Sequence, residues 1–571
     1  MEVFKSFLLK FFHYENLKNA LDNISLSGNC KICTPELFLD VLGCVAVLAL
    51  LSILMAIFAF KKREELRQFF NDFSLFIKSL FVDCLTYFKE EERIYSIGLI
   101  LILLIGVFFR AYYLFTAEMD YDEAYSYVYF SSQNLLKTLT QQDGTNNHFF
   151  NSLLMKISAA IFGDSAVSVR LPAFIGGALN IFLGYFCGRA LYNRATGLLT
   201  AFIISCTPFL LLYSYNARGY SLGTTFVILA FLIAHRISNC QQLAPWILFS
   251  IINALGAYTV AVALYVTGGI LIFLLLQILL NKKMTADGLI LLRNFAISVF
   301  AMLFLIFLLN LPVILARGLS VFFYGHLVKM PFWLFIQQLP SIFYNFWNGI
   351  YPSTHVFFKL TLLVGIVSSL LFYKKSNIPR FPIFIPFILS LIVITIFLRY
   401  PLPDRCLVTM LPFYILSASF GIIVLLEKVY FTVKKLANGH ASKKMSVIIH
   451  PLSITTLVLG SLFIHTHFLK EKTLFLNEKL VFFLPGIDKV SARISTHLQK
   501  HDEINYPHLG FTILQSYLKF NRINCYLSGD SSCIVDGKPG VQPKRSFVVL
   551  EGPSTSKLIE KIGSYSLYQK Y

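Results

Sequence analysis

Six acids, Glu118, Asp120, Asp122, Glu123, Asp143 and Asp164, fall between residues 116 and 168, against two lysines, Lys137 and Lys156. Asp122 and Glu123 are adjacent, so on any regular element they point in different directions. One can face a substrate while the other holds a metal or a cation. The competing reading is a solvated acidic cluster at a helix end. A second polar group follows in GTNNHFFNSLLMKI, where Asn146, Asn147, His148 and Asn151 precede an apolar run, and Arg170 comes soon after. The third is YSYNARGYSL, residues 213–222, where Arg218 is flanked by Tyr213, Tyr215 and Tyr220. The fourth is RYPLPDRCLVTMLP, residues 399–412, with Arg399 and Arg405. A guanidinium matches phosphate oxygens in a fixed fork, and a carboxylate within reach of a hydroxyl can take its proton. Each arginine can equally be an interfacial anchor, and the asparagines and histidine can be caps. If the four groups converge, they can bind an anionic lipid headgroup and activate a nucleophile above it.

The elements that must position them are membrane helices. Hydrophobic residues make up 56% of the 571, charged residues only 14%, and mean hydropathy is +0.67. Soluble domains carry roughly 25% charge, so disorder, a collagen-like fibre and an ordinary cytosolic enzyme are excluded. Apolar runs long enough to span a bilayer occur at 38–60, 94–115, 169–190, 196–213, 221–236, 245–258, 260–281, 295–316, 356–373, 381–398, 406–426 and 448–468. That makes about twelve spans, the fifth and sixth being short. One set of connecting loops holds 21 Lys and Arg, including Lys61, Arg67, Arg189, Arg194, Arg236, Lys374 and Lys444; the opposite set holds 11. The positive-inside rule places the first set in the cytoplasm. Both termini and all four polar groups then lie on the extracytoplasmic side. The net charge of +19 largely follows this loop bias, so nucleic acid is not implied as a partner.

The segment 1–36 reads as amphipathic and surface-lying, without a cleavable signal peptide. Residues 116–168, the aromatic-rich 317–355 and the tail 469–571 are not membrane helix. The tail shows strand-like runs (FTIL at 511, CYLS at 525, SFVVLEG at 546, YSLYQ at 565) and a helix candidate near 554–562, enough for a small α/β domain. The expected division is 1–93, an extension with one span and a basic loop; 94–468, the membrane domain; and 469–571, the extracytoplasmic tail. Of ten cysteines, Cys30 with Cys33 and Cys525 with Cys533 fall in outer segments, where local disulfides or free thiols are both open.

The chain resembles the polytopic GT-C glycosyltransferases, in the protein O-mannosyltransferase-like branch that includes the aminoarabinose lipid A transferases. The resemblance rests on DEAYS at 122–126, NNHFFNSLLMKI at 146–157, FGDSAVSVRLPAF at 162–174, YSYNARGYSL and LPDRCLVTMLPFYIL at 402–416. It covers residues 94–426 in order and spacing. Many relatives have His-Pro-Pro where this chain has His148, Phe149 and Phe150. The resemblance implies an α-helical, multi-pass integral membrane protein of a bacterial inner membrane, active on its extracytoplasmic face. It implies transfer of a sugar, with inversion, from a polyprenyl-phosphate donor to a glycan, lipid or protein acceptor. Carried over, Asp122 is the general base, and Glu123 orients it or ligates a metal. Arg218 and Arg405 meet the donor phosphate, with Arg170 or Lys156 behind them. Asn147 and His148 bind sugar or phosphate, and Asn151, Asp143, Tyr213 and Tyr220 complete the substrate side. Members differ in metal dependence, so a divalent cation, Mg or Mn, stays open.

Two other readings compete. A transporter or flippase for lipid-linked sugars suits twelve spans but calls for charges midway along helices, and nearly all charges here fall at helix ends. A lipid A or teichoic-acid phosphotransferase calls for a larger soluble domain with a His/Asp metal set, which the tail lacks.

Overall fold

The computed structural model describes residues 63–142, 147–282, 285–318, 331–350, 356–375, 381–399 and 404–436, and, in the tail, 487–495, 499, 502–505, 510–521, 525–529, 532–535, 545–551, 557–562 and 565–570. The amphipathic segment, the spans expected at 38–60 and 448–468, Cys30, Cys33, Asp143 and Asn146 lie outside the described residues.

In hydrocarbon every backbone N–H and C=O must be satisfied within the chain, which restricts these apolar runs to helices. In order they are α1 (Arg63–Glu90), α2 (Arg93–Thr116), α3 (Tyr121–Tyr125) running into a π-helical turn (Ser126–Ser131), α4 (Leu135–Thr140), α5 (Phe149–Phe162), α6 (Ala166–Leu191), α7 (Arg194–Cys206), α8 (Pro208–Tyr215), α9 (Tyr220–Ile237), α10 (Ala244–Thr259), α11 (Ala263–Lys282), α12 (Ala286–Arg317), α13 (Phe332–Ile350), α14 (Val356–Phe372), α15 (Phe384–Leu398), a 3-10 turn (Asp404–Met410) and α16 (Leu411–Leu436). Ten of the twelve expected spans coincide with these helices. Six are long and apolar enough to cross a bilayer, or seven when α7 and α8, bent by 62°, count as one broken span. The helices at 244–259, 359–372 and 384–397 are shorter apolar ones. Two stretches read as loops are helical: most of the basic loop after residue 60 is α1, and the aromatic-rich segment contains α13.

Helices in a membrane gain little from apolar contact with one another and instead pack where small residues let backbones approach. At the crossing of α14 and α16, a Cβ on Gly421 would run into the Gly365 carbonyl oxygen. Charged side chains gather at one end of the bundle. There Glu91 pairs with Arg189 and Arg194, Glu92 with Arg194 at 2.6 Å, and Asp83 with Arg236. Residues 116–142, residues 147–148, the start of α6 and the turn after α8 lie at the other end.

One charge departs from the helix-end pattern. Arg110, inside α2 and fully buried, donates from Nε to Ser214 Oγ (3.0 Å), from Nη1 to the carbonyls of Gly106 (3.0 Å) and Ser205 (3.2 Å), and from Nη2 to that of Ile204 (3.4 Å). The break before Pro208 removes the helical partners of those last carbonyls of α7, and Arg110 replaces them. Its partners are backbone and hydroxyl groups of a bend rather than a path through the membrane.

The tail folds as α17 (Ile487–Ser495), β1 (Asp502–Asn505), α18 (Gly510–Phe520), β2 (Cys525–Gly529), β3 (Ser532–Val535), β4 (Arg545–Glu551), β5 (Lys557–Ile562) and β6 (Tyr565–Lys570). The sheet order is β2-β3-β1-β4-β6-β5, with β1 and β4 parallel and the remaining pairs antiparallel. Two local readings are corrected. FTIL at 511 belongs to α18, whose Ile513, Leu514, Tyr517 and Leu518 follow helical rather than alternating periodicity. The helix candidate at 554–562 contains strand β5, which pairs with β6 through a bulge near Leu558.

Candidate active site

The acidic segment owes its shape to a capping box. Asp120 caps α3 by accepting from the Glu123 N–H (2.7 Å), and Glu123 Oε2 accepts in return from the Asp120 N–H (3.1 Å). This turn separates the adjacent acids. Glu123 faces inward and is 1% exposed; Asp122 faces outward, with its side chain 33% exposed.

Glu123 is fully committed. Its Oε1 accepts from Arg170 Nε (2.9 Å) and the Ala217 N–H (2.6 Å), and its Oε2 accepts from Arg170 Nη2 (2.7 Å). Arg170, itself fully buried, spends its remaining donors on the carbonyls of Leu114 (3.4 Å), Ala117 (2.7 Å) and Glu118 (2.8 Å). This bidentate pair ties α2, α3, α6 and the turn after α8 together. Arg170 therefore has no donor left for a phosphate, and Glu123 no oxygen left for a metal. Among the described residues no group of three or more His, Cys, Asp or Glu is placed to hold a cation.

Other expected ligands are also taken up by structure. Lys156 donates to the carbonyls of Ser131 (3.2 Å) and Gln133, at the end of the π-helical turn. Asn147 donates to Thr138 and Gln141 carbonyls (3.1 and 2.7 Å) and accepts from Ser152 (2.8 Å). Asn151 donates to the Ala217 carbonyl (3.2 Å), holding the turn that carries Arg218.

The groups that do converge are Asp122, Arg405, Arg218, His148, Tyr213 and Tyr220. Arg405, from the 3-10 turn, reaches Asp122 Oδ2 with Nη1 at 3.1 Å, and its side chain is 37% exposed. Arg218 Nη1 donates to Ser126 Oγ (2.7 Å), which in turn donates to the Asp122 carbonyl (2.8 Å). A π-helical turn beside such a segment is a frequent companion of functional sites. His148 Nδ1 accepts from the Gly219 N–H at 2.8 Å. Only a glycine fits at 219, because a Cβ there would lie 2.7 Å from the Thr259 carbonyl oxygen and 3.1 Å from His148 Nδ1. With Nδ1 accepting, His148 is neutral and carries its proton on Nε2. Burial, and then the charges of Arg218 and Arg405, hold its pKa well below the usual histidine value. The Tyr220 ring meets His148 edge-on at 5.1 Å and Tyr213 at 4.6 Å. Tyr213 lies within electrostatic reach of Arg405 and Asp122.

Three contributors had no role in the sequence reading. Asp120 holds Asn216 Nδ2 with its second oxygen, and its carboxyl is pushed up to about 8 by burial and then by Glu123 and Asp122. Its signal was the D-x-x-E spacing of the capping box. Arg110 was visible as a lone cation within an apolar span. Ser126 was visible only as the last residue of DEAYS, with no role given to it.

Residues 149–314 match the family model for dolichyl-phosphate-mannose-protein mannosyltransferase. Among solved structures, ArnT from Cupriavidus metallidurans in the apo state superposes with a TM-score of 0.53 at 11% identity, over 82% of this chain and 97% of that one. The same enzyme bound to undecaprenyl phosphate gives 0.53 at 12% identity, with the same coverage. The archaeal oligosaccharyltransferase AglB from Archaeoglobus fulgidus gives only 0.44 at 14% identity, over 79% and 61%. No curated protein matches the sequence.

Proposed function

We propose that this chain is a membrane glycosyltransferase that moves a sugar from a polyprenyl-phosphate donor to the hydroxyl of a glycan, lipid or protein acceptor. The carrying observation is the division of labour between adjacent acids: Glu123 is buried with Arg170, and Asp122 stands half-exposed against Arg405. The match of residues 149–314 to a mannosyltransferase family, and the shared fold with an enzyme solved with undecaprenyl phosphate, support the donor class. The loop charge count supports an extracytoplasmic site, and the resemblance supports a bacterial inner membrane.

The acceptor oxygen attacks C1 of the donor sugar while Asp122 takes its proton. The C1–O bond breaks with inversion, and its electron pair leaves on the polyprenyl phosphate. Phosphate is already a good leaving group and needs charge stabilisation more than protonation. Arg405 and Arg218 supply it. Arg405 pairs with Asp122 at 3.1 Å. A phosphate arriving at Arg405 competes for the guanidinium and frees the carboxylate for the acceptor. With Nδ1 engaged by the Gly219 N–H, the neutral His148 keeps an Nε2–H that can donate.

The purified protein in lipid nanodiscs, given a glycosyl polyprenyl phosphate and a panel of hydroxyl acceptors, tests this. Acceptor-dependent release of polyprenyl phosphate is expected, and Arg405→Ala and Arg218→Ala weaken donor binding by about tenfold or more, the scale of one lost charged hydrogen bond. Donor affinity unchanged in both variants would return these arginines to an anchoring role.

A further inference from the structure

We propose that the C-terminal domain is a working part of the site: helix α18 grips the acidic segment at both ends and sets the direction in which Asp122 points. The inference rests on the reading of Asp122 as base for its effect on turnover, but not for the grip itself.

At the front end, the Met119 N–H donates to Tyr517 Oη at 3.0 Å. Met119 immediately precedes Asp120, the capping residue of α3, so the N–H fixed by Tyr517 sets where the capping box begins. Met119 is fully buried in a small cluster with Tyr127, Val128, Met155, Val169 and Ala217, against which Tyr517 and Phe520 pack. Ser516 Oγ approaches the Met119 sulfur at 3.9 Å. Tyr517 also lies within electrostatic reach of Arg170 and Glu123.

At the back end, Lys519 Nζ donates to the Ser132 carbonyl at 3.4 Å and lies over the Tyr127 ring at 5.6 Å. Phe520 meets that same ring at 4.8 Å. Lys156 holds the neighbouring carbonyls of Ser131 and Gln133 from the membrane side. Tyr127 is anchored in turn by donating to Asp164 Oδ1 at 2.8 Å. Residues 119–132, which carry Asp122 and Ser126, are thus held at their first amide by Tyr517 and at their last carbonyl by Lys519.

The helix doing the holding has its own footing. Ile513, Leu514 and Leu518 are fully buried, and Asn521 Nδ2 donates to Ser491 Oγ of α17 at 3.1 Å. A shift of the tail on its sheet therefore moves Met119 and Ser132 together. Tyr517 and Lys519 are positioning residues, since neither contacts Asp122.

The test is Tyr517→Phe and Lys519→Met, singly and together, in the full-length protein in nanodiscs, with Lys519→Arg as the conservative rescue. Tyr517→Phe keeps the ring and removes only the acceptor for the Met119 N–H. Amide exchange in peptides covering 117–132 should rise by about tenfold, the scale of one lost hydrogen bond, with peptides covering 93–110 unchanged. In the transfer assay kcat should fall by a similar factor while donor affinity holds, and Lys519→Arg should restore both readouts. Unchanged exchange in the double variant overturns the grip. Faster exchange with kcat unchanged overturns its link to Asp122. If the wild-type protein transfers no sugar, the functional reading fails, and the exchange result still decides the grip.

Discussion

Glu123→Gln should cost stability, not just activity. The wild-type carboxylate accepts four N–H groups: two from Arg170, one from Ala217 and one from Asp120. A glutamine carbonyl replaces only one of those two oxygens. Its NH2 group must then face either Arg170 Nε and the Ala217 N–H or Arg170 Nη2 and the Asp120 N–H, all donors themselves. At least one charge-assisted bond is lost, and the Arg170 charge stays buried with only carbonyls for company. Breaking one partner of a buried pair costs about 3–5 kcal/mol, a large share of a typical domain's stability. The assay is thermal and denaturant unfolding in nanodiscs, read with a double-mutant cycle using Glu123→Leu and Arg170→Met. Replacing both charges by apolar groups removes the orphan, so the double variant should be more stable than either single one, with a coupling of roughly 2 kcal/mol or more. Asp122→Asn should stay within about 1 kcal/mol of wild type, because its pair with Arg405 is half-exposed. A Glu123→Gln protein as stable as wild type, or additive single variants, would refute the structural role given to this pair.

Asp120 predicts a pH signature. Burial, and then the neighbouring Glu123 and Asp122, push its carboxyl up to about 8, well above the ordinary carboxylate range. A raised carboxyl pKa means the folded state holds a proton the unfolded state has lost. This contribution is full below about pH 4 and is lost as pH rises to about 8. Asp120→Asn, a good helix cap without the titration, should therefore gain melting temperature relative to wild type as pH goes from 6 to 9, and a constant difference would contradict the assignment. Arg110→Met should leave the Ile204 and Ser205 carbonyls without their donors and cost about 2–4 kcal/mol; an unchanged unfolding midpoint would show that the bend satisfies itself. Gly421→Ala should be destabilising by about 3 kcal/mol, because its Cβ would meet the Gly365 carbonyl, a backbone atom that no rotamer change can move. A fully stable Gly421→Ala protein would show that the two helices separate freely.

Much of the fold could be read from apolar runs, because lipid leaves an unbroken hydrophobic stretch few alternatives to a helix. The ten described spans appeared for that reason. The α7–α8 break did not, since the apolar run continues across Cys206 to Pro208 and only the proline marks the bend. Helices outside the hydrocarbon were harder. Arg63–Glu90 mixes charges with Phe70, Leu75, Phe81 and Leu85, which resembles a basic loop when counted by composition alone. In the tail, the four-residue run Phe511, Thr512, Ile513, Leu514 reads as strand-like, and only the period over eleven residues shows the helix. The site was legible as a set of residue types but not as a division of roles. Sequence brings Arg170, Arg218 and Arg405 forward alike, and only their partners separate Arg170, bound on every donor, from Arg218 on Ser126 and Arg405 on Asp122. Nothing along the chain links residue 517 to residue 119, because that contact crosses 398 positions.

The most direct measurement is single-turnover transfer by Asp122→Asn protein, with donor affinity measured on the same preparation. The account predicts wild-type stability, donor binding within about threefold, and transfer reduced by about a hundredfold or more, the contribution of a positioned general base. Transfer at the wild-type rate from a stable, donor-binding Asp122→Asn protein would contradict it.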